Sequence, residues 1–154
     1  MLSQVFGELK YDYLWEGKIK IFIYRKEVEV KLDIEDEAEQ GISKIQEDSF
    51  LRFMEKKTEV DNKIQEAIYL YYQDIIDNRR EEIDPCMLES LPKIKTPFEM
   101  SQLVFPVQCC IPEIEDDREI VLLFKCKCNF DSGLGVKLVN ENIVKVGIQS
   151  EVLI

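Results

Sequence analysis

The sequence predicts an α+β fold, in which helices pack on one face of an antiparallel sheet of about six to seven strands. The apolar residues alternate with period two near both ends of the chain and recur at helical spacing in the middle. The predicted order is three strands, two helices and then about four strands. Runs of strands separated by a run of helices are typical of this class. With 154 residues, of which 45% are hydrophobic, the chain is expected to form a single domain over residues 1–154.

The first three segments, 5–15, 18–24 and 27–34, are predicted to form an antiparallel meander because short turns separate them. In the third segment four aliphatic residues alternate with four charged ones. One face of this strand is therefore expected to be buried and the other to be exposed. The acidic segment 35–40 that follows is expected to be a linker.

Two helices are predicted next. Ser43 and Gln46 have the spacing of a capping box, which favours a helix from that point. Thr58 and Asp61 offer a second cap, for a helix that ends near Asn78. The apolar stripe of the second helix is predicted from residues at helical spacing, namely Val60, Ile64, Ala67, Ile68, Tyr71 and Ile75.

The rest of the chain returns to the sheet. Three prolines predict a mostly irregular crossing over residues 84–97. Residues 104–111 have the pattern of a strand, in which Pro106 indicates an edge position or a bulge. A buried strand over 119–128 and a hairpin over 129–147 complete the predicted sheet.

The hairpin contains a characteristic set of glycine, apolar and polar residues, namely Asp131, Gly133, Leu134, Gly135, Val136, Val139, Asn140, Ile143, Val144, Val146 and Gly147. In this set the chain resembles small bacterial domains of unknown function that end in a Gly-Leu-Gly-Val hairpin, some of which look like immunity proteins of toxin systems. Residues 50–72 are similar to those domains too. These families often have a histidine where this chain has Ser132, which speaks against a catalytic turn. The resemblance implies a fold and a bacterial source more than a function.

The composition is acidic, with 20 basic and 31 acidic residues and a formal net charge of −11. A chain of this charge repels nucleic acid and anionic membrane surfaces, so neither is expected as a partner, whereas a basic protein would be attracted over long range. The first ten residues lack the apolar run of a secretion signal, and no stretch approaches the length of a membrane span. The five cysteines are therefore expected to be reduced thiols of a cytoplasmic protein.

Histidine is absent, which removes the commonest general base, the usual nucleophile pairs and the usual ligand of catalytic zinc. Cys109, Cys110, Cys126 and Cys128 allow a four-thiolate zinc site to be drawn. Their spacing is not that of CxxC knuckles, and the first two point to opposite faces of one strand. Buried thiols are the favoured interpretation, with Cys86 expected to be exposed and reactive. No catalytic residue, cofactor or metal ligand is predicted.

Two acidic runs, 35–37 and 113–119, lack the spacing of a calcium loop and are expected to be solvated. Their functional interpretation is an acidic face that meets a basic partner. Tyrosine is enriched at interfaces, and Tyr69 is expected to point away from the apolar stripe of its helix. The predicted partner-binding residues are Glu115, Asp116, Asp117, Tyr69 and Tyr72.

These observations favour a non-enzymatic domain that binds another protein and needs no cofactor. The resemblance and the acidity make an immunity-type inhibitor of a basic toxin its most concrete version. A small enzyme or metal-dependent protein of unrecognised type is the alternative. A third interpretation is a homo-oligomer that pairs through an edge strand such as residues 104–111.

Overall fold

The computed structural model of the protein describes residues 1–82, 85–88, 91–127 and 133–153. Its elements, in chain order, are β1 (Leu2–Ser3), β2 (Gly7–Glu8), β3 (Lys10–Tyr11), β4 (Leu14–Ile23), β5 (Lys26–Glu35), α1 (Lys44–Glu55), α2 (Lys57–Asn78), a 3₁₀ helix (Arg80–Glu82), α3 (Pro85–Leu88), a second 3₁₀ helix (Pro97–Gln102), β6 (Val104–Ile111), β7 (Glu119–Cys126), β8 (Leu134–Val139), β9 (Asn142–Gly147) and α4 (Gln149–Val152). Within the described ranges no helix is both long enough and apolar enough to span a membrane.

Strands β3 to β9 form one seven-stranded sheet whose spatial order follows the chain, which confirms the predicted α+β class and strand number. Neighbouring strands are antiparallel except β5 and β6, which are parallel, with Leu32 opposite Cys109 and Ile34 opposite Ile111. This parallel pair departs from the predicted antiparallel sheet. It arises because α1 and α2 lie in the connection, which returns the chain to the starting end of the sheet before β6 begins.

The main core lies between the sheet and the two long helices. In β5, alternate residues such as Val30 and Leu32 point into this core, and the charged residues between them face away from it. Strand β7 is buried on both faces, as its continuous apolar run suggests. Its Val121 and Leu123 pack against Val152 of the short helix α4 on the face opposite to α1 and α2.

The capping box predicted for α1 is confirmed. The backbone N–H of Gln46 donates to Ser43 Oγ at 3.2 Å, and the backbone N–H of Ser43 donates to Gln46 Oε1 at 3.0 Å. The cap predicted at Thr58 is wrong, because α2 begins at Lys57 with no side-chain cap. Only Lys56 separates the two helices, and its backbone N–H still donates to a carbonyl of α1.

The apolar stripe predicted for α2 is confirmed in part. The buried apolar residues of this helix are Val60, Ile64, Ile68, Tyr72 and Ile75. Ala67 and Tyr71, which the spacing placed in the stripe, are only half-buried. The stripe instead continues from Ile68 to Tyr72 at the i, i+4 spacing.

Strand β6 has its predicted bounds, and a bulge between Pro106 and Gln108 interrupts its pairing with β7. Its parallel pairing with β5 begins at Gln108, so the missing N–H of Pro106 falls outside that ladder. The interpretation of β6 as an edge strand for self-association is wrong, because β6 lies between β5 and β7 and is paired on both sides.

Candidate functional site: an acidic end of the sheet

The parallel pairing of β5 and β6 brings the two acidic runs together. Both strands reach the same edge of the sheet, at Glu35 and Ile111. Glu113 joins the runs: its carboxylate accepts a hydrogen bond from the backbone N–H of Glu37 at 2.8 Å, and its own backbone N–H donates to the Glu35 carboxylate at 3.1 Å. The sequence identified both runs but not their contact, because the contact depends on strand direction.

We call this surface the acidic end. It consists of the exposed carboxylates at the end of β5 and in the segments that follow β5 and β6, which are Glu35, Glu37, Glu39, Glu113, Glu115, Asp116 and Asp117. Within the part of the chain that the structure describes, none of these carboxylates forms an ion pair. The field of the acidic end therefore extends into solvent, where it attracts positive charge.

Arg118 is the cation closest along the chain, and it is already engaged. Its Nε and Nη2 each donate to one oxygen of Glu141 at 2.9 Å, and Glu141 is only 7% exposed. Asn140 and Glu141 form the β8–β9 turn with φ angles of 50° and 63°, as expected for an asparagine at such a position. The amide of Asn140 donates to Asp117 at 3.1 Å. The β8–β9 turn therefore fixes the position of Asp117, at the end of the loop between β6 and β7.

An aromatic side chain borders the acidic end. The ring of Tyr11 packs against Trp15, with ring centroids 4.9 Å apart. Desolvation and the negative charges of Glu39, Asp36 and Glu113 raise the pKa of Tyr11. The Tyr11 ring thus lies within the negative field of the acidic end, a placement that the sequence did not predict.

Asp36 differs from its acidic neighbours because it is buried, at 2% exposure. Its carboxylate accepts hydrogen bonds from the indole N–H of Trp15 at 3.0 Å and from the backbone N–H groups of Gln40 at 2.9 Å and Gly41 at 3.0 Å. Gly41 has a φ of +86°, which favours glycine at this point of the loop. The middle carboxylate of the first run therefore fixes its own loop and is not presented to a partner.

The described cysteines are not part of the acidic end, although Cys110 lies close enough to Glu35 for that carboxylate to raise its pKa. Cys109 points into the main core and Cys110 packs on the opposite face, as their adjacent positions on β6 require. Cys126 is disulfide-bonded, so the prediction of reduced thiols is wrong for this residue. Cys86 is exposed, as predicted, and Cys128 lies outside the described residues.

The chemistry of the two thiols on β6 does not favour nucleophilic attack. Burial raises the pKa of Cys109, and burial together with nearby carboxylates raises the pKa of Cys110 to about 12. Both groups are therefore protonated near neutral pH, whereas a reactive cysteine needs a lowered pKa. In the described part of the chain, no group of three or more side chains from His, Cys, Asp and Glu is arranged to hold a metal ion.

The predicted tyrosines bind a segment of the same chain. The hydroxyl of Tyr72 donates to the carbonyl of Pro92 at 3.1 Å, and that of Tyr69 donates to the carbonyl of Lys95 at 3.3 Å. Tyr72 is 3% exposed, so its expected place on a contact surface is wrong, whereas Tyr69 is half-buried. The i, i+4 relation of Tyr72 to Ile68 is the signal that identifies it as a core residue. The tyrosines pin the 92–95 segment to α2 and are not part of the acidic end.

A family model described as "Domain of unknown function (DUF6985)" matches residues 5–153 of the chain. The matched range includes both acidic runs and the β8–β9 hairpin. Asp131 and Ser132, which precede the Gly-Leu-Gly motif, lie outside the described residues, as do residues 84, 89 and 90 of the predicted crossing. No curated protein and no solved structure matches the chain.

Proposed function

The chain belongs to the DUF6985 family, a domain of unknown function, and we propose that its acidic end binds a basic partner protein. The observation that carries this proposal is the convergence of two exposed acidic runs at one edge of the sheet, joined through Glu113 and lacking any ion pair among the described residues. Like charges placed together repel one another, and a basic partner relieves that repulsion when it binds.

The negative charge of the acidic end indicates how a partner should bind and how binding should depend on salt. Exposed carboxylates steer a basic protein toward the acidic end over long range, and this steering raises the association rate more than it raises the final affinity. The effect is screened over about 8 Å at physiological ionic strength. A partner held in this way should therefore associate quickly at low salt and progressively more slowly as salt is added.

An immunity-type inhibitor is the most concrete version of this proposal. In that version the protein acts in the bacterial cytoplasm, and the acidic end covers a basic cleft on a toxin. The resemblance of the hairpin to such proteins and the net charge of −11 support it. A rigid loop suits this role, and the hydrogen bond from Asn140 to Asp117 supplies a fixed base for the loop.

A role without catalysis is supported by the state of the buried ionisable groups. Asp36 is occupied by hydrogen bonds to its own loop, and Glu141 is occupied by Arg118. The thiols of Cys109 and Cys110 have raised pKa values. These four groups serve the fold, which supports binding through the exposed carboxylates of the acidic end.

The test is a pull-down from the native lysate at low and at high salt, followed by measurement of association with the captured partner. The triple variant Glu115→Lys, Asp116→Lys, Asp117→Lys should slow association at low salt by about tenfold or more and should flatten its salt dependence. Unchanged association of the triple variant at low salt would refute the proposal.

A matched control separates local from global charge. Glu27, Glu29 and Glu66 are exposed and lie outside the acidic end, so their triple replacement by Lys changes the net charge by the same amount. This control should affect association by much less than the acidic-end variant. Equal effects of the two variants would show that the net charge acts as a whole, without a defined site.

A further inference from the structure

A groove on the helical side of the molecule has a charge opposite to that of the whole chain. It lies between the C-terminal half of α2 and residues 91–95 and has a volume of about 470 Å³. This volume falls within the range of about 300–1,000 Å³ that is typical of ligand pockets. The apolar residues that line it include Ile76, Leu91 and Ile94. The size and lining therefore suit a small ligand with an apolar body.

The charged residues in the described lining of the groove are all basic. Arg80, Lys93 and Lys95 line it and are exposed, and its described lining contains no carboxylate. None of these three side chains forms an ion pair within the described residues. In a chain with a net charge of −11, three unneutralised cations around one groove favour an anionic ligand.

Two acidic side chains close to the groove in sequence, Asp74 and Glu99, make contacts with other residues. Asp74 of α2 pairs with Arg79 at 3.2 Å. Glu99 accepts a hydrogen bond from the hydroxyl of Thr96 at 3.1 Å and lies 3.5 Å from the backbone N of Lys95. In the described part of the chain, neither carboxylate forms an ion pair with Arg80, Lys93 or Lys95.

The hydrogen bonds between α2 and the 92–95 segment, which together line the groove, also favour a ligand that accepts hydrogen bonds. Three side chains of α2 donate to consecutive parts of the 92–95 segment: Tyr72 to the carbonyl of Pro92, Gln73 to that of Ile94 and Tyr69 to that of Lys95. These bonds engage three of the four carbonyls of the segment and fix its position against α2. The lining of the groove therefore presents cationic donors and apolar surface beside carbonyls that already accept a hydrogen bond.

We infer that this groove binds a small amphipathic carboxylate, whose apolar body packs on Ile76 and Leu91 and whose carboxylate meets Lys93 and Lys95. Charge complementarity selects the head group, since carboxylates accept charge-assisted hydrogen bonds from lysine. The apolar floor selects the body, since its burial removes apolar surface from water. This site is separate from the acidic end and does not depend on the proposed protein partner.

The test uses octanoate as the probe, titrated into the ¹⁵N-labelled full chain and followed by NMR chemical shifts. Saturable shifts centred on Ile76, Leu91 and Ile94, with a Kd of about millimolar, are expected from a ligand of this size. Acetate, which lacks the apolar body, and octanol, which lacks the charge, should each bind at least about fivefold more weakly. Shifts that centre elsewhere, or equal binding of octanol, would overturn the inference.

The matched variants reverse two charges in each case. Lys93→Glu with Lys95→Glu should weaken octanoate binding by about tenfold, because two favourable contacts become repulsive. Lys18→Glu with Lys20→Glu, on strand β4, changes the net charge equally and should leave binding within about twofold. Circular dichroism confirms that each variant is folded. Equal loss in both pairs, or retention of octanoate binding in the groove variant, would refute the site.

Discussion

The strongest prediction for stability concerns Asp61, which ties the β4–β5 turn to the helical layer. Asp61 lies on α2 and is 1% exposed. Its carboxylate accepts hydrogen bonds from the backbone N–H of Tyr24 at 2.6 Å, the backbone N–H of Arg25 at 2.9 Å and the amide of Gln65 at 2.9 Å. The two turn residues have φ angles of 50° and 63°, in the left-handed region that residues other than glycine seldom adopt. The carboxylate therefore stabilises a turn that has intrinsic strain.

The magnitude follows from the donors that the substitution leaves unpaired. In Asp61→Ala the N–H of Tyr24 and the amide of Gln65 lose their acceptor in a buried site, whereas the exposed Arg25 is within reach of water. A buried donor without an acceptor costs about 1–3 kcal/mol. For two such donors the expected loss of unfolding free energy is therefore about 2–6 kcal/mol. Asp61→Asn keeps one acceptor oxygen for Tyr24 and should lose only about 1–2 kcal/mol.

The assay is urea unfolding followed by circular dichroism, with the m-value compared between variants. Glu66→Ala on the exposed face of the same helix is the control and should change stability by less than about 0.5 kcal/mol. A loss below about 1 kcal/mol for Asp61→Ala would refute the reasoning, since it would mean that water or another group satisfies the turn.

Three further predictions use the same unfolding measurements. Burial raises the pKa of Asp33, so Asp33 loses its proton at a lower pH in the unfolded state than in the folded state. The free energy of unfolding therefore declines as pH rises from the unfolded-state pKa to the folded-state pKa. Asp33→Asn should remove that decline, and a pH profile of stability that runs parallel to that of the parent protein would contradict this prediction. Gly135→Ala should cost about 1–3 kcal/mol, because the added Cβ would lie 2.9 Å from Cβ of Val152 and push α4 away; an unchanged midpoint would show that α4 moves freely. Glu141→Gln should cost about 1–2 kcal/mol because it weakens both bonds from the partly exposed Arg118, and a neutral effect would show that water replaces the pair.

The features that the sequence predicts well are local ones. The strand β5 follows from strict alternation of aliphatic and charged residues, and the start of α1 follows from Ser43 and Gln46. In both cases the residues that determine the structure lie within a few positions of one another. The spacing of Thr58 and Asp61 has the same local form and misleads, because Asp61 binds the distant turn of Tyr24 instead of capping its helix. A short-range motif is reliable only when no tertiary partner competes for its side chain.

The features that the sequence does not predict depend on the relative direction of strands or on which face of a helix a residue occupies. The residues of β5 and β6 do not indicate that the two strands are parallel. Their relative direction depends on the end of the sheet to which α1 and α2 return the chain. The choice between Tyr71 and Tyr72 as the core residue is a matter of one position, or about 100° around the helix. Both aromatic residues satisfy an apolar pattern. Tyr72 is distinguished by its i, i+4 relation to Ile68 and, in the folded chain, by the hydrogen bond of its hydroxyl to the carbonyl of Pro92.

Strand direction also decides whether the acidic end exists, and this gives a prediction that links stability to function. If β5 and β6 were antiparallel, the two acidic runs would lie at opposite edges of the sheet. Their contact concentrates negative charge that takes part in no ion pair among the described residues, which should cost the isolated protein some stability. The double variant Glu115→Lys, Asp116→Lys reduces this repulsion and keeps the hydrogen bond from Asn140 to Asp117. It should stabilise the isolated protein by about 0.5–1 kcal/mol at low salt, and this gain should decrease as salt is added. The same variant should weaken partner binding, as expected where function is maintained at a cost in stability. A double variant that is less stable than the parent would mean that these carboxylates serve the fold, and the proposal of a binding surface would lose its physical basis.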